Sequence, residues 1–200
     1  MPSRSSSPPS GPLTLRERAA RYSAAQLRTV ATALDLFADH GVGGTSLQMI
    51  ADALGVTKAA IYHQFKTKEA IVQAVIDVEV APVEDALVAA EAEGNTPKAR
   101  AGLLSRMIDG AVERRRAVST LQNDPVLVRL LGEYEPSRQL WNRLFAVLLG
   151  DDLDEHARVR AAVLSAAIGS VGHAFVRDVD NDTLKAELER LTRRLILLPG

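Results

Sequence analysis

Apolar residues in the first third of the chain recur at intervals of three and four, which is the spacing of amphipathic α-helices. Three successive groups show it; their members are Leu27, Val30, Ala31, Leu34, Phe37 and Ala38, then Leu47, Ile50, Ala51 and Leu54, then Ile61 and Phe65. Alternating runs of β-branched and aromatic residues, which would indicate strands, are hard to find, and alanine and leucine account for 56 of 200 residues. The pattern predicts an all-α fold.

Capping residues predict where the first helices begin and end. Ser23 with Gln26 has capping-box spacing and Gly41 is a stop signal, so helix one is expected from about 24 to 39. The pair Thr45 and Gln48 repeats the spacing before a short second helix that ends at Gly55.

Two further threonines mark the next helices. Thr57 is expected to cap a third helix and Thr67 a fourth, whose apolar stripe runs to Val80. Beyond Pro82, prolines, glycines and turn sequences divide the rest of the chain. The predicted helices there span about 83–93, 98–119, 126–132, 137–149, 153–178 and 182–197.

Two short helices joined across a glycine, with another helix before them, are typical of a helix-turn-helix, whose second helix enters the DNA major groove. If Ile61 and Phe65 point inward, helical periodicity turns an opposite set outward. That set is Lys58, Ala59, Tyr62, His63 and Lys66. Cations, hydrogen-bonding groups and a methyl suit phosphates, base edges and a thymine methyl, so this face is predicted to bind DNA.

Composition excludes several classes of protein. With 46% apolar and 24% charged residues, the chain is expected to fold, and the absence of cysteine rules out disulfides, thiolate metal sites and a cysteine nucleophile. The longest uncharged run, 161–176, is too short to span a membrane and predicts a buried helix. A small chain without disulfides fits a reducing cytosol, so the expected location is the cytoplasm. Residues 1–12 lack the apolar segment of a secretory signal.

The net charge of −1 conceals an asymmetry. Residues 1–69 carry eight basic and five acidic side chains, whereas the remainder carries 16 basic and 20 acidic ones. Either this difference directs a polyanion to the first third, or it is chance variation.

The segment 45–69, TSLQMIADALGVTKAAIYHQFKTKE, closely resembles the DNA-binding segment of the TetR (tetracycline repressor) family of bacterial transcriptional regulators. The close match covers about residues 23–76. The resemblance implies a homodimer with an N-terminal DNA-binding domain and a larger helical domain that binds a small-molecule inducer. It also implies that Tyr62 and Lys68 meet DNA phosphates and that Thr45 touches the DNA backbone.

Some positions depart from the usual family pattern. Ala59 and Ala60 stand where glycine and then threonine or serine are common, and Gln64 stands where histidine is common. Gln64 can still hydrogen-bond, whereas the two alanines remove donors. Sequence reading is therefore assigned mainly to Lys58 and His63, and the predicted DNA-binding set also includes Ala59 and Gln64.

Three domains are predicted: a flexible basic tail over 1–22, the helix-turn-helix domain over 23–69, and a helical effector-binding and dimerisation domain over 70–200. In the tail, Arg16, Arg18 and Arg21 either form an arm that reaches DNA or remain solvated.

The last two helices are expected to pair two copies of the chain. A leucine stripe recurs at spacings of four and three, and small residues in the preceding helix permit close approach. The predicted interface comprises Leu184, Leu188, Leu191, Leu195 and Leu198 with Ala162, Ala166, Gly169 and Gly172. Alternatively, the stripe packs within one subunit.

An apolar set with one polar group is the expected lining of an effector pocket in the middle helices. Its members are Met107, Trp141, Phe145 and His173. The alternative for these side chains is ordinary core packing. No cofactor is expected.

Two other classes of function compete with a DNA-binding regulator. A metal-dependent or hydrolytic enzyme would need a site, and the acids Asp151, Asp152, Asp154 and Glu155 beside His156 are better explained as residues at a helix start. Neither a metal nor a catalytic residue is therefore predicted. The second rival is a helical ligand-binding or interaction protein without DNA binding.

Overall fold

The computed structural model describes residues 13–94, 96–150 and 154–197, and within them it contains eleven α-helices and no strand, which confirms the all-α prediction. Two 3₁₀ turns, Ser170–Gly172 and Ala174–Val176, precede the last helix. The helices are α1 (Leu15–Ala19), α2 (Ala24–Gly44), α3 (Leu47–Leu54), α4 (Lys58–Gln64), α5 (Lys68–Ala92), α6 (Pro97–Glu113), α7 (Arg115–Asn123), α8 (Pro125–Glu133), α9 (Glu135–Leu149), α10 (Glu155–Gly169) and α11 (Asn181–Leu197).

Helices α2, α3 and α4 pack around a small apolar core to form the predicted helix-turn-helix. Its buried side chains include Val30, Phe37, Ile50, Ile61 and Phe65. Long helix α5 packs against α1 and α2 on one side and against α6, α8 and α9 on the other. It therefore belongs to both the helix-turn-helix unit and the larger helical unit that follows.

The predicted tail is not unstructured throughout. Thr14 caps α1 with a complete capping box to Glu17, and Leu15 is fully buried. The expectation of a flexible segment is therefore wrong for the described residues 13–22, because one buried leucine and a satisfied cap fix a short helix against α5. Residues 1–12 lie outside the described part of the chain.

The beginnings of α2 and α4 and the turn at Gly55 are confirmed, whereas the cap of α3 lies one residue later than expected. Ser46 accepts a hydrogen bond from the amide of Met49, and Thr45 is buried before it. Gly41, the predicted stop, interrupts α2 with a positive φ of 70°.

Pro82 does not end a helix. Helix α5 continues through it to Ala92, so the separate helix predicted for 83–93 is wrong. Proline normally breaks a helix because it lacks an N–H and crowds the preceding turn. Here Val80, Ala81 and Leu87 are buried on both sides of it, and their packing maintains the helix.

Two other long predicted helices are divided. The segment 98–119 breaks at Arg114, whose φ and ψ of −119° and 40° leave the helical region while its guanidinium binds Glu79 of α5. In the segment predicted as one helix over 153–178, the α-helix ends at Gly169 and 3₁₀ turns follow it. A Cβ on Gly172 would lie 2.4 Å from Cβ of Ser119, so the chain there lies directly against α7.

No helix in the described ranges is both long and apolar enough to cross a lipid bilayer.

Candidate nucleic-acid interface

Helix α4 is held in place by its inner face and by its cap. Thr57 accepts a hydrogen bond from the amide of Ala60, and Ile61 and Phe65 are buried against α2 and α3. The ring of Phe65 lies 6.1 Å from that of Tyr22, which precedes α2. The orientation of α4 is therefore set by apolar packing, which leaves its opposite face free.

The outward face of α4 carries the side chains that the periodicity predicted. Lys58, Ala59 and His63 are exposed, Tyr62 is 43% exposed, and Lys66, just beyond the end of α4, is exposed beside them. The ammonium of Lys58 lies 5.9 Å from the centre of the Tyr62 ring, a favourable cation–π arrangement. This face therefore presents two cations, a phenol and an imidazole to solvent.

Gln64 turns towards the protein instead. Its Oε1 accepts a hydrogen bond of 2.9 Å from the Thr29 hydroxyl, and its backbone carbonyl accepts one of 3.3 Å from Nε2 of Gln26. The expectation that Gln64 lies with the DNA-facing residues is corrected, because this half-buried amide secures the end of α4 to α2.

Thr45 is also misassigned. Only 2% of it is exposed, and its hydroxyl donates to the carbonyl oxygens of Gly41 and Leu36 at 2.8 and 3.2 Å. The predicted contact of this side chain with the DNA backbone is wrong, because its one donor is used inside the end of α2.

Lys68 has a structural contact that the sequence did not indicate. Its ammonium donates to the carbonyl oxygens of Val42 and Thr45 at 2.8 and 3.1 Å. Two of its three donors therefore satisfy carbonyls at the end of α2, where a cation is also favoured by the helix dipole. The third donor is not used in these contacts, so the phosphate contact that the resemblance implies for Lys68 stays a prediction.

We expect Lys68→Ala to destabilise the protein by about 1–2 kcal/mol, because two charge-assisted hydrogen bonds are lost. Urea unfolding followed by circular dichroism measures this change. Lys66→Ala is the matched control, since Lys66 is an exposed lysine two residues away. Equal unfolding free energies for both variants would contradict the capping role.

The arginines of the predicted arm are mostly engaged by α5. Nε of Arg18 lies 3.1 Å from the carboxylate of Asp77, and Nε of Arg16 lies 3.1 Å from that of Asp85. The prediction of an arm is therefore wrong for these two side chains, whereas Arg21 is exposed.

Asp77 is the centre of a cluster that sequence analysis missed. It is fully buried in α5 and receives hydrogen bonds from Tyr22 at 2.5 Å, from Tyr134 at 2.9 Å and from Nε of Arg18. Burial, together with the neighbouring carboxylate, raises the pKa of both tyrosines far above the usual range, so both phenols remain donors. A lone acid within an apolar stripe was the only signal in the sequence.

Three of the predicted effector residues do line one cavity. Met107, Trp141 and Phe145 face a space of about 470 Å³ between α6, α7, α8, α9 and α10, and the rings of Trp141 and Phe145 stack with centroids 6.3 Å apart. A second space of about 140 Å³ shares Met107 and Trp141 with it and reaches Glu79 and Arg114. Burial raises the pKa of Glu79, and Arg114 opposes that shift.

His173 does not join them. It is exposed between the two 3₁₀ turns, and its Nδ1 accepts a hydrogen bond from the amide of Phe175. It lines a different cleft, between α2 and α7, so its assignment to the effector cavity is wrong.

The predicted dimer residues divide into two groups. Leu184 and Leu188 are buried within the subunit, where α11 packs on α6, and Leu195 is partly buried in the same core. Gly169 lies so close to the Gln122 side chain that a Cβ would be 1.6 Å from its Oε1. These four positions therefore serve packing within the chain, which corrects their assignment to the interface.

Gly172 also packs within the chain, against Ser119 of α7, whereas three other interface residues are on the surface. Ala162, Ala166 and Leu191 are exposed, and exposed Val159 and Val163 accompany the alanines on one face of α10. Leu198 lies outside the described residues, as do Asp151 and Asp152 of the acidic cluster. The remaining acid Asp154 caps α10 by accepting from the amide of Ala157, and no metal-binding group of side chains occurs in the described ranges.

This geometry defines a helix-turn-helix protein with a larger helical unit. The sequence model of "Bacterial regulatory proteins, tetR family" matches residues 30–75. The chain is 41% identical over 44 residues to the HTH-type transcriptional repressor KstR2 of Mycolicibacterium smegmatis, over 22% of each chain. It is 32% identical over 75 residues to the HTH-type transcriptional regulator RutR of Escherichia coli, over 36% of this chain and 35% of that protein.

A solved structure extends the similarity beyond the helix-turn-helix. A transcriptional regulator of the TetR/AcrR family from Thermobifida fusca matches with a TM-score of 0.55 and 25% identity, over 86% of this chain and 97% of that one. Residues 30–75 are thus similar to the tetR family of bacterial regulatory proteins, and the similarity of fold to a TetR/AcrR regulator extends over most of the chain. The matched segments span only about a fifth to a third of the curated relatives, and they include the helix-turn-helix.

Proposed function

We propose that this protein is a transcriptional regulator that binds a palindromic DNA operator as a homodimer and releases it when a small molecule binds. The observation that carries the proposal is the exposed face of α4, where Lys58, Tyr62 and His63 surround the small side chain of Ala59. The proposal assigns the protein to the cytoplasm and gives it no enzymatic reaction.

In the proposed complex, α4 lies in the major groove. Lys58 and His63 contact base edges, Tyr62 donates to a phosphate, and the methyl of Ala59 permits close approach to a thymine methyl. The inner contacts of Phe65 and Gln64 hold α4 rigid, so its side chains are presented without ordering a flexible segment.

Dimerisation is assigned to the exposed apolar face of α10 together with Leu191 of α11. Val159, Val163 and Leu191 are 63%, 47% and 52% exposed. The alanines between them allow close contact of two helices, and a two-fold axis would pair the face with its own copy. Two recognition helices would then occupy major grooves about 34–36 Å apart.

The cavity between α6, α7, α8, α9 and α10 is the proposed effector site. Its apolar lining, with Gln122 and Ser165 as polar groups, favours a largely apolar ligand. A ligand shifts DNA binding only if it prefers one arrangement of the two units, so it must act through an element shared by both.

The cluster at Asp77 is that element in our proposal. Tyr134 lies between α8 and α9, which both line the cavity, and it binds the same carboxylate as Tyr22. Tyr22 in turn lies against Phe65 at the end of α4. A ligand that displaces α8 or α9 would move Tyr134 and alter the support of the recognition helix.

Electrophoretic mobility shift with DNA from around the protein's own gene tests DNA binding. We expect a retarded complex that weakens as salt is added. In a plot of the logarithm of the binding constant against the logarithm of salt concentration, the slope should be about −0.9 for each phosphate contact. If no genomic fragment binds better than random DNA, the regulator proposal is wrong and the rival, a helical ligand-binding protein without DNA binding, is favoured.

Variants of α4 separate base contacts from phosphate contacts. Tyr62→Ala should weaken binding to all sequences, whereas Lys58→Ala or His63→Ala should also relax discrimination at one base pair by about 1–3 kcal/mol. Competition with operator mutants measures this difference. Arg129→Gln, an exposed charge on α8, is the control. An unchanged site preference for both Lys58→Ala and His63→Ala would contradict the assigned base contacts.

A further inference from the structure

A second cleft lies between the helix-turn-helix unit and the larger unit, apart from the proposed effector cavity. Its volume is about 620 Å³, within the range of small-molecule sites. One wall comes from α2, at Phe37, Ala38 and Gly41, and the facing wall comes from α7 and the two 3₁₀ turns. None of the proposed effector residues except the misassigned His173 lines it.

The charged lining of the cleft is mostly cationic. Its charged side chains are Arg115, Arg116 and Arg177 against the single carboxylate of Asp124. That carboxylate already accepts hydrogen bonds from the backbone amides of Val42, Val126 and Leu127, and these bonds orient both of its oxygens towards the backbone. Hence Asp124 does not neutralise the arginines by a direct ion pair in the described structure.

The three guanidinium groups differ in whether a carboxylate balances their positive charge. Arg116 pairs with Asp39 at 2.8 Å. Arg115 donates only to neutral oxygens, those of Val176, Val179 and the Asn181 side chain, and its Nε is buried without a partner among the described residues. Within the same part of the chain, the exposed Arg177 side chain makes no hydrogen bond or ion pair. Two positive charges therefore remain without a carboxylate partner.

His173 adds a hydrogen-bond donor from the 3₁₀ turns. Because its Nδ1 accepts from the Phe175 amide, Nε2 is the ring nitrogen that can donate to a ligand. Asn123 and Ser119 supply further polar groups on α7. Guanidinium and imidazole N–H groups bind phosphate and carboxylate oxygens with charge-assisted hydrogen bonds.

We propose that this cleft is a binding site for a small anionic metabolite that carries a phosphate or carboxylate group. Arg177 and His173 contact the anion directly, and Arg115 supplies positive charge while it holds the 3₁₀ turns in place. Because the two walls belong to different units, a bound anion lies between α2 and α7, in a cleft separate from the cavity of the proposed apolar ligand.

Isothermal titration of the full chain without DNA tests this proposal, with inorganic pyrophosphate and citrate as the phosphate and carboxylate probes. We expect saturable binding of at least one probe, with a Kd of roughly 1 mM or tighter. Arg177→Gln and His173→Ala should each weaken it by about tenfold, the loss of one charge-assisted or polar hydrogen bond. Arg129→Gln removes an equal charge away from the cleft and should leave binding unchanged.

Binding of pyrophosphate alone would identify a phosphate site and binding of citrate alone a carboxylate site. No saturable binding of either probe, or an equal loss in all three variants, would overturn the proposal. Since the titration contains no DNA, its result does not depend on whether the protein binds an operator.

Discussion

Asp77→Ala is expected to lower the free energy of unfolding by about 3 kcal/mol, the low end for breaking a buried ion pair. The variant leaves the phenols of Tyr22 and Tyr134 without their acceptor and Arg18 without its carboxylate. Because about a third of the Arg18 side chain is exposed, its guanidinium regains some hydration in the variant, which limits the loss of stability. Urea unfolding monitored by circular dichroism measures the effect.

Conservative variants resolve the cluster into its parts. Tyr22→Phe and Tyr134→Phe each remove one hydrogen bond and should cost about 1 kcal/mol. Asp77→Asn retains an acceptor and should fall between the phenylalanine variants and Asp77→Ala. A loss below about 1 kcal/mol for Asp77→Ala would refute the claim that this carboxylate joins the two units.

The same variants test the proposed coupling. If the cluster transmits the effector signal, Tyr134→Phe should reduce the change in DNA affinity that an effector causes, while effector binding itself persists. Because the Tyr134 side chain binds Asp77 and is not among the residues lining the cavity, a mere loss of ligand affinity would argue against this role.

If the proposed α10 interface forms, Val163→Arg should convert the dimer into a monomer and weaken operator binding by about 100-fold or more. In the proposed dimer, a two-fold axis would bring Val163 near its own copy or near the exposed Val159 and Leu191, so the variant would bury an uncompensated charge in an apolar contact. A single helix-turn-helix also lacks the effective concentration that a linked second site provides. Light scattering after gel filtration measures the mass, and mobility shift measures the affinity.

Asn142→Arg is the control for added charge, because Asn142 is an exposed polar residue of α9. It should leave mass and DNA affinity unchanged. A dimeric Val163→Arg variant with normal operator binding would rule out the α10 face as the interface. Circular dichroism of both variants distinguishes dissociation from unfolding.

The helix-turn-helix was predicted well from the sequence because the interactions that set its helix ends join residues close together in the chain. Ser23, Gly55 and Thr57 act through hydrogen bonds or dihedral angles within a few residues, and the structure confirms each as a helix boundary. Likewise, the spacing of Ile61 and Phe65 correctly placed Lys58, Tyr62 and His63 on the opposite face.

Predictions failed where a residue has a partner far along the chain. Nothing near Lys68 indicates that it binds carbonyls 23 and 26 positions away, and nothing near Arg114 indicates that Glu79 holds it at a break between helices. The leucine stripe of α11 showed a face suited to packing, but whether α6 or a second chain covers it depends on how the helices are arranged.

The sequence by itself therefore determined the helical class, most helix ends, the recognition face of α4 and its family resemblance, since these depend on periodicity, caps and short spacing. Only the tertiary structure decided that Asp77 gathers Arg18 and two tyrosines, that Met107, Trp141 and Phe145 share a cavity, and that His173 faces another cleft. The physical reason is that burial and long-range hydrogen bonds arise from the packing of whole helices, which no short segment specifies.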